Sequence, residues 1–370
     1  MNFAFVVNNY PPRVGGVELH VRSLARQLRG QGHRVLVITL SDAPGAAVED
    51  GIDVVRLPER LRVGDILGFP LPGTTRHVAH LLREHRVDVV SVHTRFFPMS
   101  WVGLRAAART GAVVIHTEHG SDHVVSTSPL ITAASRAVDL TLGRTILRQA
   151  TDVLGVSEHV ISFVSRLSGR EDASVFYNAI DPACSSLNRD HRPHLVFVGR
   201  LVPGKGAEAF VEMLRLLRAE GREVDAEILG DGVSRPEIEA SIARAGLENH
   251  VAVRGRVDGD EVSLALAGAI LVNPSTLAEG FQTTLLESLD AGGSVVSYDL
   301  PGVRALQRQG HPVRVVNEQG PASLARAVGE LLDEGWRNLP MDDWYWPVRA
   351  ASYAARAERL VLEHASRKHR

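Results

Sequence analysis

Two cations at a fixed spacing, Arg200 and Lys205, mark the part of this chain best equipped for phosphate chemistry. They lie in His194-Leu195-Val196-Phe197-Val198-Gly199-Arg200-Leu201-Val202-Pro203-Gly204-Lys205-Gly206, where an apolar run passes into a glycine turn. Of the 41 lysines and arginines only Lys205 and Lys368 are lysines. A chain that uses arginine almost everywhere thus keeps one compact ammonium in this turn. Arginine is a planar fork and lysine a point charge on a flexible stem. Together with the free amides of a helix expected over 207–220, the two make a positive pocket suited to a diphosphate. Gly206 and Ala207 follow the lysine, so the pattern is not G-x4-G-K-[ST] and a P-loop NTPase is disfavoured. One lysine must fall somewhere, and its neighbours decide the matter.

The second chemical group is a pair of carboxylates. Leu271-Val272-Asn273-Pro274-Ser275 closes an apolar run and leads into Glu279-Gly280-Phe281-Gln282-Thr283-Thr284-Leu285-Leu286-Glu287. Gly280 permits a tight turn, and Thr283-Thr284 stand where a helix should begin, with its first amides unpaired. A carboxylate accepts two hydroxyl hydrogen bonds, so Glu279 and Glu287 suit sugar and ribose diols. Glu279 balancing the helix dipole and Glu287 on a solvated face is the competing reading. A third candidate is Asn8-Asn9-Tyr10-Pro11-Pro12-Arg13-Val14-Gly15-Gly16-Val17-Glu18. Gly15 and Gly16 let a backbone approach a ligand at a helix start; an ordinary strand-to-helix turn would use the same residues.

Two further clusters resemble metal sites and are set aside. His116, His119 and His123, with Glu118 and Asp122, lack the one-face spacing of H-E-x-x-H, so no metal is expected. Asp258-Gly259-Asp260 is formally D-x-D, but Asp258 followed by Glu261 before an apolar helix reads as an N-cap with its capping box.

Apolar runs alternate with helical patterns along the chain. Strands are expected at 3–7, 34–39, 53–57, 87–92, 112–116 and 153–156, with helices at 17–30, 76–85, 99–110 and 132–150 and a Ser157-capped helix after the last strand. Near-continuous apolar strands between helices indicate parallel sheets covered on both faces. Cys184 to Pro193 is polar and unpatterned and suits a linker. A second α/β series follows, with strands from 195 and near 225–229, 251–254, 270–273 and 294–298. The domains expected are 1–183 and 184–341, with an aromatic-anchored helical segment at about 342–370 returning to the first and a mobile basic tail around Lys368. Ligands belong at the carboxyl ends of such strands.

At 370 residues, 44% hydrophobic and 23% charged, the composition is that of a soluble two-domain globular chain. A net charge of -2 disfavours nucleic acid as the main partner. The single cysteine, Cys184, excludes an intramolecular disulfide and fits a reducing cytoplasm. Met1 to Val7 reads as a buried strand and not a signal peptide, and no apolar run is long enough to span a membrane.

The motifs together resemble the family 4 retaining glycosyltransferases of the GT-B class. Glu279-x7-Glu287, the Gly199-Arg200…Lys205-Gly206 turn and the Gly15-Gly16 loop stand in that family's order, Tyr177-Asn178-Ala179-Ile180-Asp181 resembles its N-G-[VI]-D segment, and Leu229-Gly230-Asp231-Gly232 its glycine-rich strand end. The likeness covers nearly the whole chain. It implies an α/β fold of two Rossmann-like parallel-sheet domains facing a central cleft. It implies a catalytic set of Arg200 and Lys205 on the donor diphosphate, Glu279 on a hydroxyl of the transferred sugar, and His119 near that sugar. Glu287 would take the ribose, the amides of Phe281, Gln282, Thr283 and Thr284 the sugar and phosphates, and Gly15 and Gly16 would close over them. The implied co-substrate is a UDP- or GDP-linked sugar, with no metal or other cofactor, in bacterial glycan, glycolipid or glycosylated-metabolite synthesis.

Gln282 stands where the family often has Gly or Pro, which leaves the sugar undetermined, and Gly292-Gly293-Ser294 replaces a G-x-P turn. A non-hydrolysing nucleotide-sugar epimerase and a non-catalytic nucleotide-sugar-binding module are the alternatives. The acceptor, whether small molecule, glycan or lipid-linked, is expected on the first domain. There Phe69 to Pro72 and Phe96 to Met99 lie near Arg62, Arg76 and Arg95, as a peripheral membrane contact or as ordinary core.

Overall fold

A computed structural model describes residues 1–13, 15–63, 67–123, 129–182, 194–277 and 280–368. It divides into two compact units, Met1–Ala179 with Asp343–Arg370, and Ile180–Asp342. The expected linker at 184–193 lies outside the described residues.

Among the described residues the first unit carries strands β1 (Asn2–Val6), β2 (Arg34–Ser41), β3 (Gly45–Glu49), β4 (Ile52–Val63), β5 (Leu67–Pro70), β6 (Val89–His93), β7 (Val113–Glu118), β8 (Asp152–Gly155) and β9 (Ser174–Val175). Their order is β3-β4-β2-β1-β6-β7-β8-β9, with β5 beside β4. Strands β4, β2, β1, β6, β7 and β8 are mutually parallel. The apolar runs that suggested buried strands are buried: Phe3 to Val7 and Val89 to Val92 are almost wholly shielded. Phe3, Phe5, Val7 and Val89 form one core with Val21, Leu24 and Leu28 of helix Gly16–Gly30.

Three strands of this unit, β3, β5 and β9, lie outside the strands expected from the apolar runs. β3 pairs antiparallel with β4 through a two-residue turn, Glu49 facing Ile52, and Asp50 and Gly51 both take positive φ, 53° and 75°. This is the Asp-Gly hairpin signal, but β3 is solvent-exposed and carries no apolar pattern. The segment expected as one helix at 132–150 is a run of α-helix, π-turn and α-helix from Pro129 to Gln149. The last helix, Trp346–Lys368, returns to the first unit and adds Trp346, Ala350, Tyr353 and Ala357 to its core. The expected mobile tail is therefore helical as far as Lys368. No described helix is long and apolar enough to cross a membrane.

The second unit has β10 (His194–Val198), β11 (Asp225–Leu229), β12 (Val251–Gly255), β13 (Ile270–Asn273), β14 (Ser294–Tyr298) and β15 (Val313–Val316). All neighbours are parallel, in the order β12-β11-β10-β13-β14-β15. Numbered within the unit this is 3-2-1-4-5-6, the doubly wound order. Chain direction along the sheet reverses between strands 1 and 4, and a crevice opens there beyond the strand ends. Strands β4-β2-β1-β6-β7-β8 repeat the same order, so each unit has its own reversal point, at β1/β6 and at β10/β13.

Candidate active site

The loops leaving β10 and β13 start side by side at the reversal point of the second unit. The first is held from below by the strand end at Gly230. The Gly199 amide donates to the Leu229 carbonyl at 3.0 Å and the Leu201 amide to the Asp231 carbonyl at 2.9 Å. A Cβ at Gly230 would overlap the Gly199 carbonyl, and one at Gly232 the Leu201 carbonyl, so glycine is a packing requirement here. On its other side the loop is pinned to the segment after β13: the Thr276 amide donates to the Gly204 carbonyl at 2.8 Å. Gly206, at φ 89°, lies so close to Pro274 that a Cβ would strike its carbonyl. Arg200 and Lys205 thus stand on a turn fixed by backbone contacts on two sides. Arg200 is exposed and pairs with no acidic group among the described residues.

Helix Ala207–Ala219 begins at Gly206, and helix Thr283–Asp290 at Gln282, and neither has a side-chain cap on its first amides. Gln282 turns instead to the strand end, where its Oε1 accepts from Asn273 Nδ2 at 2.8 Å. Phe281 is buried, and its ring occupies the space where a Cβ on Gly302 would sit. Glu287 lies one turn into that helix. Burial raises its pKa, and a hydrogen bond from Thr283 only partly counters this, so the carboxylate is short of donors. Glu279 lies outside the described residues. Arg200, Lys205, Phe281, Gln282, Thr283, Thr284 and Glu287 belong to the two loops and helix starts of one reversal point.

The first unit holds the remaining candidates, Gly15, Gly16 and His119. Gly15 is the extended N-cap of helix Gly16–Gly30, and a Cβ on it would overlap the Glu18 carboxylate, whereas Gly16 faces open space. The helix start that sequence reading offered to a ligand therefore already has a carboxylate beside it, which suits its dipole.

His119 follows β7, next to β6, and two histidines that sequence reading passed over join it. His93 ends β6 and His20 comes from the buried face of helix Gly16–Gly30. His93 Nδ1 and His119 Nε2 are 3.1 Å apart, and His20 meets His119 edge-on with ring centres 4.8 Å apart. His20 Nδ1 pairs with Asn178 Oδ1 at 2.9 Å. Its Nε2 is buried without a partner among the described residues. One ring nitrogen of each of the three lies within 4.8 Å of the others. Burial lowers the His20 pKa to about 4, with Asn178 opposing. Burial, aided by neighbouring histidines, holds His93 and His119 well below the ordinary value. All three are therefore neutral near pH 7. The signal that would have found His93 is position: it stands at the carboxyl end of a strand beside the reversal point. Thr94, the next residue, has φ 64° and a buried hydroxyl with no partner among the described residues, the kind of local strain that collects at functional sites.

The histidines grouped by sequence separate in space. His116 pairs with Glu118 at 3.2 Å and His123 with Asp139 at 2.6 Å, while His119 turns to His93. Arg95, expected near an acceptor surface, is fully buried instead. It pairs with Glu118 at 3.1 Å and Asp139 at 2.9 Å and lies over the Phe163 ring. Burial alone would raise the Glu118 pKa, but Arg95 first, then His116 and the Gly120 amide, bring it down to about 2. Phe97 and Met99 are core residues, whereas Phe69 and Leu71 are exposed beside Leu61 and Val63 of the β4–β5 hairpin. Arg62 anchors that hairpin to the loop after β1 through Asn9 at 3.1 Å. Asp258 accepts from the Glu261 amide and Glu261 returns to the Asp258 amide, a capping box in place of a metal-binding D-x-D.

With this geometry in place, comparison with known proteins gives a consistent result. A family profile described as Glycosyltransferase Family 4 matches residues 14–183, and one described as Glycosyl transferases group 1 matches residues 192–334. An uncharacterized glycosyltransferase of Methanocaldococcus jannaschii is 23% identical over 95% of this chain and 97% of its own. A GDP-mannose-dependent alpha-(1-6)-phosphatidylinositol monomannoside mannosyltransferase of Mycobacterium tuberculosis is 26% identical over 94% of this chain and 96% of its own. The crystal structure of Anabaena HepE in complex with UDP superposes with a TM-score of 0.69 at 18% identity, covering 99% of each chain.

Proposed function

The chain belongs to glycosyltransferase family 4, with the GT-B fold and nucleotide-sugar donors of that family, and from that premise we propose that it transfers a sugar with retention at the anomeric carbon and without a metal ion. The observation that carries this reading is the second unit's reversal point, where Arg200, Lys205 and two helix starts without side-chain caps come from adjoining loops. Negative charge grows on the departing diphosphate as the bond from the anomeric carbon breaks. Fixed cations and oriented amides stabilise such charge without reorganising. They do the work that a metal ion does in other transferases.

Arg200 and Lys205 hold the diphosphate, and the Thr283 and Thr284 amides face its oxygens. Glu287 accepts both ribose hydroxyls, replacing the hydration its burial has removed. Glu279 takes a hydroxyl of the transferred sugar, and His119 and the Gly16 backbone are assigned to sugar recognition. The acceptor oxygen bonds the anomeric carbon on the face the diphosphate leaves, and its proton passes to the leaving phosphate oxygen. No side chain need act as base.

A panel of UDP- and GDP-sugars, scored by protection against thermal unfolding, tests the donor site, because a ligand of the folded state stabilises by mass action. One nucleotide should protect strongly with its sugar attached and measurably as the bare diphosphate, in the presence of a chelator. Absence of protection by every nucleotide, or an inverted anomeric configuration in the product, overturns the reading.

A further inference from the structure

Behind His119 runs a chain of buried hydrogen bonds that reaches the last helix. Tyr353 OH lies 2.9 Å from Ser91 Oγ, Ser91 Oγ 3.0 Å from His93 Nε2, and His93 Nδ1 3.1 Å from His119 Nε2. Tyr353, Ser91 and His93 are all buried. His119 is partly exposed, and no described group bonds its Nδ1.

The protons can be placed by accounting for donors. In one direction Tyr353 donates to Ser91, Ser91 to His93 Nε2, and His93 Nδ1–H to His119 Nε2. Every buried hydrogen then has an acceptor, and His119 carries its own proton on Nδ1. In the reverse direction His119 Nε2–H donates to His93, His93 to Ser91, and Ser91 to the phenol oxygen. The phenol hydrogen is then left without an acceptor in a buried site, because Ser91 is the only partner of Tyr353 OH among the described residues. An unsatisfied buried donor costs about 1–3 kcal/mol, whereas an idle phenol lone pair costs far less. A phenol is also a better donor than an alkyl hydroxyl, and such chains reinforce themselves along one direction.

We propose that Tyr353, Ser91 and His93 are positioning residues that hold His119 as the neutral Nδ1–H tautomer, so that it offers a hydrogen-bond donor and not a base. This rests on the reading that His119 serves the transferred sugar. Its ring then donates to a sugar oxygen and cannot take the acceptor's proton, which agrees with the leaving phosphate receiving it. The low pKa values of the three histidines keep this region neutral beside the sugar. His20 completes the wall: its Nδ1 faces Asn178, and its ring packs edge-on to His93, His119 and Trp346.

Long-range 1H–15N correlation spectra of the full chain labelled at histidine distinguish the two tautomers whether or not the enzyme turns over, so failure here is distinguishable from failure of the transfer reading. Near neutral pH, His119 should show a protonated Nδ1 and a bare Nε2, and His93 the same pattern. Tyr353→Phe and Ser91→Ala should each turn His119 into a tautomer mixture and lower kcat by about fivefold, the value of one neutral hydrogen bond. The donor KM should be unchanged, and Ser91→Thr should restore the wild-type pattern. Three results overturn the proposal: His119 protonated on Nε2 in the wild type, a His119 tautomer indifferent to Tyr353→Phe and Ser91→Ala, or a stoichiometric metal in the purified protein whose removal shifts all three histidines.

Discussion

The two units place their polar groups in opposite ways. At the β10/β13 reversal point Arg200 stands exposed with no described acidic neighbour, and two helices begin without side-chain caps. At the ends of β6 and β7 the polar groups are buried and spent on one another: Arg95 on Glu118 and Asp139, His93 on His119 and Ser91. A surface meant for an anion must leave its donors unsatisfied until the anion arrives. A surface meant to hold a shape satisfies itself and becomes rigid. Substitutions in the loops of the second unit should therefore cost mainly activity, and those in the Arg95 network of the first mainly stability.

The largest effect should come from Lys205→Ala, which removes a charge proposed to hold the leaving diphosphate. A fall in kcat/KM of about a thousandfold or more, worth about 4 kcal/mol, is expected with unchanged urea unfolding. Near wild-type turnover in the folded variant would break the comparison on its active side. Next is Arg95→Met, which leaves two buried carboxylates without their cation and should cost about 3–5 kcal/mol by urea unfolding. A loss under about 1 kcal/mol would show that the first unit's network is not what holds it.

The smallest effect is a dependence on pH. His20 is neutral when folded down to about pH 4, but in the unfolded chain it takes a proton below about 6.5. The unfolded state thus binds more protons, and stability is complete above about pH 6.5 and falls as pH drops toward 4. His20 alone contributes on the order of 3 kcal/mol to that loss. Glu118, whose folded pKa is about 2, adds a second loss below about pH 4.5, where the unfolded carboxylate protonates. His20→Phe should make the upper limb of urea midpoint against pH shallower, with His93 and His119 still contributing to it, and leave the lower one. An unchanged upper limb would assign the acid sensitivity elsewhere.

The fold was largely legible in the chain because its parallel strands are buried on both faces and so appear as unbroken apolar runs. Strands Asp225–Leu229, Ile270–Asn273 and Ser294–Tyr298 match the expected bounds. The exposed edge strand Gly45–Glu49 was invisible because nothing buries it, although Asp50-Gly51 announced its turn. Within the site, glycines and cations were legible where a backbone contact demands them, as at Gly206 against Pro274. The histidine cluster was not. His20, His93 and His119 are spread over a hundred residues of sequence, and only the strand order places them together. Arg95 misled for a related reason: sequence shows a charge but not the two carboxylates, 23 and 44 residues away, that allow it to be buried.

Tyr353 and its neighbours on the last helix have a consequence for synthesis. The core of the first unit includes Trp346, Ala350, Tyr353 and Ala357, which leave the ribosome only after the whole second unit has been made. Domains ordinarily fold in the order they emerge. Here the later unit can finish first, while the earlier sheet waits with part of its apolar face bare. A nascent chain stalled before residue 346 should therefore be the species that most needs a chaperone.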